Sequence, residues 1–298
     1  MILRPMTDTS LAVLFSLANA VTVSTFSLFV RRGERHANAV TGVLIGLLVS
    51  LPVMAAATAW LWEPGWWNPW AFALFAAAGV VGPSLGRVLY FQAIHRLGVA
   101  RAVPLTSIMP LVAAVMGVAL LGERPGAAGL AGTVLVVLGC AAITSRRSAG
   151  SPWDRRHMWI PFASVAAFSF SHLFRKMGVT AVPSPLLGLT VMSLAGAACL
   201  YLLGRFLPAP HRPDLRPGRA WVVYGLTGLL NNVSVLLHFY GLRYGDLTIV
   251  VPLSSTSPLF SLLLSWLFLR DLERVTAGIV VGTAFVVLGE ILITWRAL

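Results

Sequence analysis

The stretch VPLTSIMPL fills residues 103 to 111, and VPLSSTSPLF fills residues 251 to 260. Each sets two prolines six residues apart, with hydroxyl side chains between them, inside an otherwise apolar run. A proline within a helix removes the amide that would bond the carbonyl four residues earlier. Pro110 and Pro258 therefore release the carbonyls of Thr106 and Ser254. In hydrocarbon an unpaired carbonyl is costly, so such backbone belongs where protein or a wet cavity can receive it. Thr106, Ser107, Ser254, Ser255 and Thr256 stand where they can supply hydroxyls to a cavity wall. The competing reading is a packing kink whose hydroxyls bond back within the helix.

The surroundings of these stretches set the class. With 57% hydrophobic and 11% charged residues over 298 positions, the chain holds more apolar side chain than a soluble core of that size needs. Apolar windows of about 20 residues, enough to cross a bilayer, recur along it. Ten spans are expected, at roughly 10–30, 38–62, 70–92, 102–121, 126–145, 157–174, 184–207, 220–242, 248–269 and 275–295. The first resembles a cleaved signal, with Arg4 before LAVLFSL and Ala18-Asn19-Ala20 as a cleavage-like site. We read it as a span, because the apolar run continues to Val30 and Asp8 sits in the would-be basic region. Cys140 and Cys199 lie in different spans without metal or redox spacing, which makes them packing residues.

A net charge of +12 on a soluble chain would point to nucleic acid. Here the arginines fall in short loops, as on the cytoplasmic face of membrane proteins, and no nucleic-acid partner is expected. Loops after the odd-numbered spans carry fifteen basic residues, against six on the other face, where Arg175 and Lys176 are counted. That count places both termini outside. The segment WLWEPGWWNPW at 60 to 70 has five tryptophans and no basic residue, as an external interfacial belt would.

Shifted by 148 positions, Phe91 falls on Phe239, Pro104 on Pro252, Ser107 on Ser255 and Pro110 on Pro258. A slip of two residues then brings Glu123-Arg124 onto Glu273-Arg274 and VVLG at 136–139 onto VVLG at 286–289. Shared prolines, glycines and loop glutamates are not what chance pairing of apolar helices yields, so the chain is a duplication. Residues 1–150 and 151–298 form the two copies. Five spans per copy make the second enter the bilayer from the opposite side, the inverted repeat around which secondary carriers alternate access.

The run AIHRLGVARAVPLTSIMPLVAAVMGVALLGERPG, with GTVLVVLG after it, resembles the EamA type of the drug/metabolite transporter superfamily. The second copy answers with GLRYGDLTIVVPLSSTSPLFSLLLSWLFLRDLER and its own VVLG. The likeness covers essentially the whole chain. It implies a ten-helix carrier of a small metabolite or drug in a plasma membrane, with a central cavity between the halves. It also implies cytoplasmic termini, against the charge count.

The polar residues within spans are the candidate site. Arg87 in mid-helix is costly; it either snorkels to the interface or attracts anions at the cavity mouth. Glu290 is the one carboxylate well inside a span and is the candidate proton-coupling group, with an ion pair to Arg175 or Lys176 as the structural alternative. Asn19, His172, Asn231, Asn232 and His238, beside Tyr90 and Tyr240, serve either as helix-to-helix glue or as substrate contacts. Gly42 with Gly46, Gly82 with Gly86, and Gly278 with Gly282 have the GxxxG spacing for close helix packing.

Two rivals stand beside the carrier. Residues 82 to 86, GPSLG, match the G-x-S-x-G of serine hydrolases, with His172 or His238 as a base for Ser84. A lipid or lipid-linked sugar flippase could use the same scaffold. No Walker loop or HExxH is present, and neither cofactor nor metal is expected. The partners expected are a small-molecule substrate, the bilayer and protons, and the direction expected is export.

Overall fold

The computed structural model of the chain describes residues 7–33, 38–97, 102, 105–144, 155–207, 212–268 and 277–295, and among these it is all-helical. The first half contains α1 (Asp8–Gly33), α2 (Ala39–Trp60), α3 (Pro69–Gly79), a π-helical segment (Val80–Gly86), α4 (Arg87–Leu97), α5 (Met109–Leu121) and α6 (Ala127–Thr144). The second contains α7 (Trp159–Ala181), α8 (Pro185–Gly204), α9 (Arg219–Tyr244), α10 (Leu247–Ser254), α11 (Ser257–Phe268) and α12 (Ala277–Thr294). Four rods are long and apolar enough to cross a membrane: Val40–Trp60, Pro69–Ile94, Pro185–Gly204 and Arg219–Tyr244. Met109–Leu121, Ala127–Ala142, Leu247–Phe260 and Val280–Thr294 are shorter and also apolar. Pro104, Glu273 and several of the counted loop arginines, among them Arg35, Arg101, Arg270 and Arg274, lie outside the described residues.

Helix starts follow local chemistry. Asn38 caps α2 through the amide of Thr41, Asn68 caps α3 ahead of Pro69, and Ser184 caps α8 ahead of Pro185. Gly122, at φ 69, ends α5 in the left-handed region open to glycine at no steric cost.

Packing repeats between the halves. α1 lies on α9 as α7 lies on the α3–π–α4 rod, and α1 meets α11 as α7 meets α5. α6 and α12 form the closest pair. A Cβ added at Gly132 would come within 2.6 Å of the Gly289 carbonyl, and one at Gly139 within 2.6 Å of the Gly282 carbonyl. As one number rises the other falls, so these sequence-equivalent helices run antiparallel. Their backbones approach because each sets a glycine at the crossing points, with Val136, Val286 and Ile293 packed beside them, the packing that dispersion favours where lipid is as apolar as leucine. Gly46 on α2 and Gly228 on α9 make a similar contact, with a Cβ at Gly46 falling 3.0 Å from the Gly228 Cα. The GxxxG reading holds for Gly42 and Gly46, whereas Gly278 is exposed. On α12 the seam instead uses Gly282 and Gly289, two turns apart, because the partner helix presents glycines at that same spacing.

A buried carboxylate joins the halves at one end. Glu123 accepts the amides of Leu247 at 2.7 Å and Thr248 at 2.9 Å, capping α10 from across the repeat. Gly117 leaves the room for that carboxylate, since a Cβ there would stand 2.5 Å from its Oε2. Lys176 donates to the carbonyls of Leu242 at 3.0 Å and Gly245 at 2.7 Å, closing the end of α9 beside it.

Two outcomes follow for thermal melting of the purified protein. Gly139→Leu is expected to destabilise by about 1–3 kcal/mol through overpacking, while Gly129→Leu, whose Cβ site has no neighbour nearer than 3.7 Å, leaves melting nearly unchanged. Glu123→Ala removes two charge-assisted bonds and is expected to cost about 1.5–3 kcal/mol.

Candidate functional site

The helices enclose a cavity of about 570 Å³ between the halves, within the range of small-molecule sites. Both proline-broken segments form its walls: Thr106, Ser107 and Pro110 from one half, Ser254, Ser255 and Pro258 from the other. In each the helix opens into a turn, at Ser107–Ile108 and at Ser255–Thr256. Ahead of the second proline the helix bonds tighten: the Ser255 amide divides between Val251 at 3.0 Å and Pro252 at 3.1 Å, and the Thr256 amide falls back on Leu253, three residues earlier, at 3.3 Å. Both readings of the hydroxyls hold side by side. Ser255 bonds back to Val251 at 2.8 Å and Thr256 to Leu253 at 2.7 Å, whereas Ser254 turns to His238 at 3.2 Å.

Arg87 lines the cavity because of what precedes it. Pro83 lacks the amide for a regular turn, and the chain widens into the π segment Val80–Gly86. The extra residue resets which face of α4 looks inward, and Arg87 is the first regular position after it. Tyr90, one turn on, also faces the cavity.

Histidines form the polar centre. Nδ1 of His172 and Nε2 of His238 lie 2.8 Å apart, and Nδ1 of His238 meets the Ser254 hydroxyl at 3.2 Å. One imidazole must donate and the other accept, so the pair joins α7 to α9 and continues to the proline-broken wall. Asn19 donates to the carbonyl and hydroxyl of Ser234 at 2.6 and 2.8 Å, pinning α1 to α9. Its amide is thus helix glue at the edge of the cavity. Asn231 and Asn232 line the same space, and Nδ2 of Asn232 is buried without a hydrogen-bonding partner.

Three expected residues lie elsewhere. Tyr240 stacks on Phe15 with centroids 5.2 Å apart, away from the cavity. Thr256 is buried within the turn, between the lining residues Ser255 and Ser257, and is itself outside the lining. Glu290 on α12 is half-buried outside the lining, and its Oε1 has no hydrogen-bonding partner. Neither Arg175 nor Lys176 pairs with it, since the one described ion pair joins Arg216 to Asp214 at the surface.

The charge count treats Arg175 as a loop residue, and the structure corrects this. α7 runs to Ala181, so Arg175 falls within the helix, buried and in the cavity wall one turn beyond His172. The His172 to Arg175 spacing of three residues, which puts both on one helix face, is the signal in the sequence that points there.

The hydrolase geometry is absent. Ser84 is fully buried in the π segment, and its hydroxyl donates to Gly196 O at 2.8 Å and Gly79 O at 3.3 Å. Each candidate base is bonded to the other, so no base stands at the serine as a nucleophile requires.

Comparison with known proteins agrees with this arrangement. A curated relative from Sinorhizobium sp, described as an uncharacterized transporter in cobO 3'region, is 29% identical over 133 residues, 44% of this chain and 90% of that protein. A protein of known crystal structure shares the fold at a TM-score of 0.79 and 19% identity, over 96% of this chain and 97% of its own. The model of the EamA-like transporter family matches twice, over residues 10–145 and 157–295, once on each side of the cavity. A helical, apolar chain that carries the family pattern in both halves is a multi-pass membrane transporter rather than an enzyme, and it belongs to the EamA-like transporter family.

Proposed function

We propose that the protein is a secondary active carrier that exports small organic metabolites or drugs across the plasma membrane by alternating access. The observation that carries this reading is the cavity itself, about 570 Å³ and bounded by equivalent proline breaks from the two halves. Residues 1–150 and 151–298 act as the two units, with ten spans in all and the second unit inverted. The antiparallel run of α6 and α12 supports that inversion. When two copies of one unit enter the bilayer from opposite sides, exchanging their conformations turns an inward-open cavity into an outward-open one at little net energy. The broken walls supply the bending points. Arg87, Tyr90, Asn231, Asn232, His172 and His238 select the solute in this reading, with Asn19 bracing α1 against α9 at the cavity edge. Tyr240 and Thr256 act behind the wall.

Proton coupling enters through Glu290. A carboxyl half-buried on a helix, with one oxygen lacking a partner, can hold a proton in one state and release it in the other. A pH gradient then drives the cycle.

Flux in proteoliposomes tests both parts. A screen of water-soluble metabolites, with and without an imposed pH gradient, is expected to find at least one solute moved against its gradient. Transport confined to headgroup-labelled lipid would assign a flippase instead. Replacing both Pro110 and Pro258 by alanine restores the missing helix bonds; a bias of about 1.4 kcal/mol toward one state slows turnover about tenfold. Glu290→Gln is expected to leave solute exchange intact and to abolish its dependence on the pH gradient; gradient-driven flux persisting in that variant removes the coupling role.

A further inference from the structure

The cavity holds two arginines and two buried donors, on Arg175 and Asn232, that no group among the described residues answers. Arg175 is 8% exposed, and its Nε is buried without a partner. Its guanidinium lies 5.6 Å from the centroid of the Phe239 ring, and a terminal nitrogen reaches to within 3.7 Å of where a Cβ on Gly82 would stand. Gly82 belongs to the same π segment that delivers Arg87 into the cavity, and both arginines line that cavity. No carboxylate lies within ion-pair distance of either among the described residues. Glu123 is occupied in capping α10, and Glu290 lies outside the lining. Asn232 adds a buried amide donor, also without a partner.

Burying a guanidinium unpaired is expensive, and setting a second, partly buried one in the same cavity wall adds to that cost. A membrane protein that keeps such a pair either has a neutralising group of its own or receives one from outside. Here the protein's own described groups offer none. A planar guanidinium fork matches the two oxygens of an acid group, and two forks with an amide donor suit an acid whose charge is spread over several oxygens. The rest of the wall is largely apolar, with Val23, Phe91, Phe168 and Val235.

We infer that the solute of this cavity is a soluble organic anion, its carboxylate or phosphonate-like acid group held by Arg87 and Arg175 with the Asn232 amide, and its hydrocarbon body against the apolar wall. This rests on the carrier reading and narrows its substrate class. Arg175 is then a binding residue rather than a packing one.

Thermal melting of the full-length protein in detergent tests this with simple model solutes. The probes are phenylacetate and phenylphosphonate as anions, phenylacetamide as the neutral counterpart and phenylethylammonium as the cation. Both anions are expected to raise the melting temperature in a saturable way, and the other two to leave it unchanged. Arg175→Gln and Arg87→Gln are each expected to weaken the anion response at least about tenfold. Without added solute, Arg175→Gln is expected to melt higher than wild type, because it removes an unpaired buried charge. A merely structural arginine over Phe239 gives the opposite sign, lower melting with the anion response intact, and that result overturns the inference. So does stabilisation by the cation equal to that by the anions, no response to either anion, or a response to phosphatidylglycerol alone. If Arg175→Gln does not fold, Arg87→Gln and Arg175→Lys carry the same comparison of anion against cation. In proteoliposomes, transport of neutral solutes indifferent to both arginine variants sinks the anion assignment and leaves the carrier standing. Anion binding with no solute moved at all sinks the carrier and leaves the site.

Discussion

Pro110 and Pro258 each delete an amide from a helix whose surroundings hold no water to replace it, and the molecule is arranged around that deficit. A carbonyl without a donor in hydrocarbon has to be met by protein or by a cavity. Beside the second break, backbone carbonyls that flank the freed one at Ser254 take donors from the other half of the chain. The Ser24 hydroxyl of α1 reaches the Ser257 carbonyl at 2.7 Å, and the Cys140 thiol of α6 reaches the Ser255 carbonyl at 3.4 Å. The break therefore ties the halves together at the place where each interrupts its own helix. Cys140 is thus more than filler, although its spacing from Cys199 shows nothing of this.

Close backbone approach supplies the rest of the framework. Leucine against leucine gains little over leucine against lipid, so the seams between halves rely on positions without side chains. Gly132 on Gly289 and Gly139 on Gly282 let α6 and α12 touch along two turns. Polar caps at the helix ends, such as Glu123 on the α10 amides, fix the register that dispersion alone leaves loose. Two seams of close backbone contact with a broken wall between them suit the bending that the proposed cycle requires.

Much of this framework is legible from residue type alone. Proline, glycine and apolar length act through backbone geometry, and backbone geometry is local, so the helices, the breaks and the duplication can be read along the chain. The site is legible only in part. Most of the residues named from the sequence do line the cavity, because strongly polar groups in apolar runs have few other places to go. Arg175 escapes such a reading because it lies at the edge of an apolar window, where a loop charge and a helix-borne charge look alike; only the actual end of α7 at Ala181 separates them. Tyr240 misleads for the converse reason: it lies two residues from His238, and on a helix that spacing points to a different face. The partnership of His172 with His238 is a contact across 66 residues, and single-sequence periodicity holds no information about such a distance.

The duplication also separates positions that repeat from positions that do not. Moving 148 residues along the chain takes Pro110 to Pro258 and Ser107 to Ser255, and the frame repeats. The same step takes Arg87 to Val235 and Tyr90 to His238, and all four of these line the cavity. It takes Ser84, tied to backbone carbonyls, to Asn232 with its unpartnered amide. Equivalent places on the wall are therefore kept while their chemistry is not. The proposed exchange of conformations between the halves needs both alike in backbone, and the repeated prolines and seam glycines fit that need. A solute with a charged end and an apolar end needs the opposite, a wall whose two sides differ, and the change from arginine on one side to valine on the other provides it.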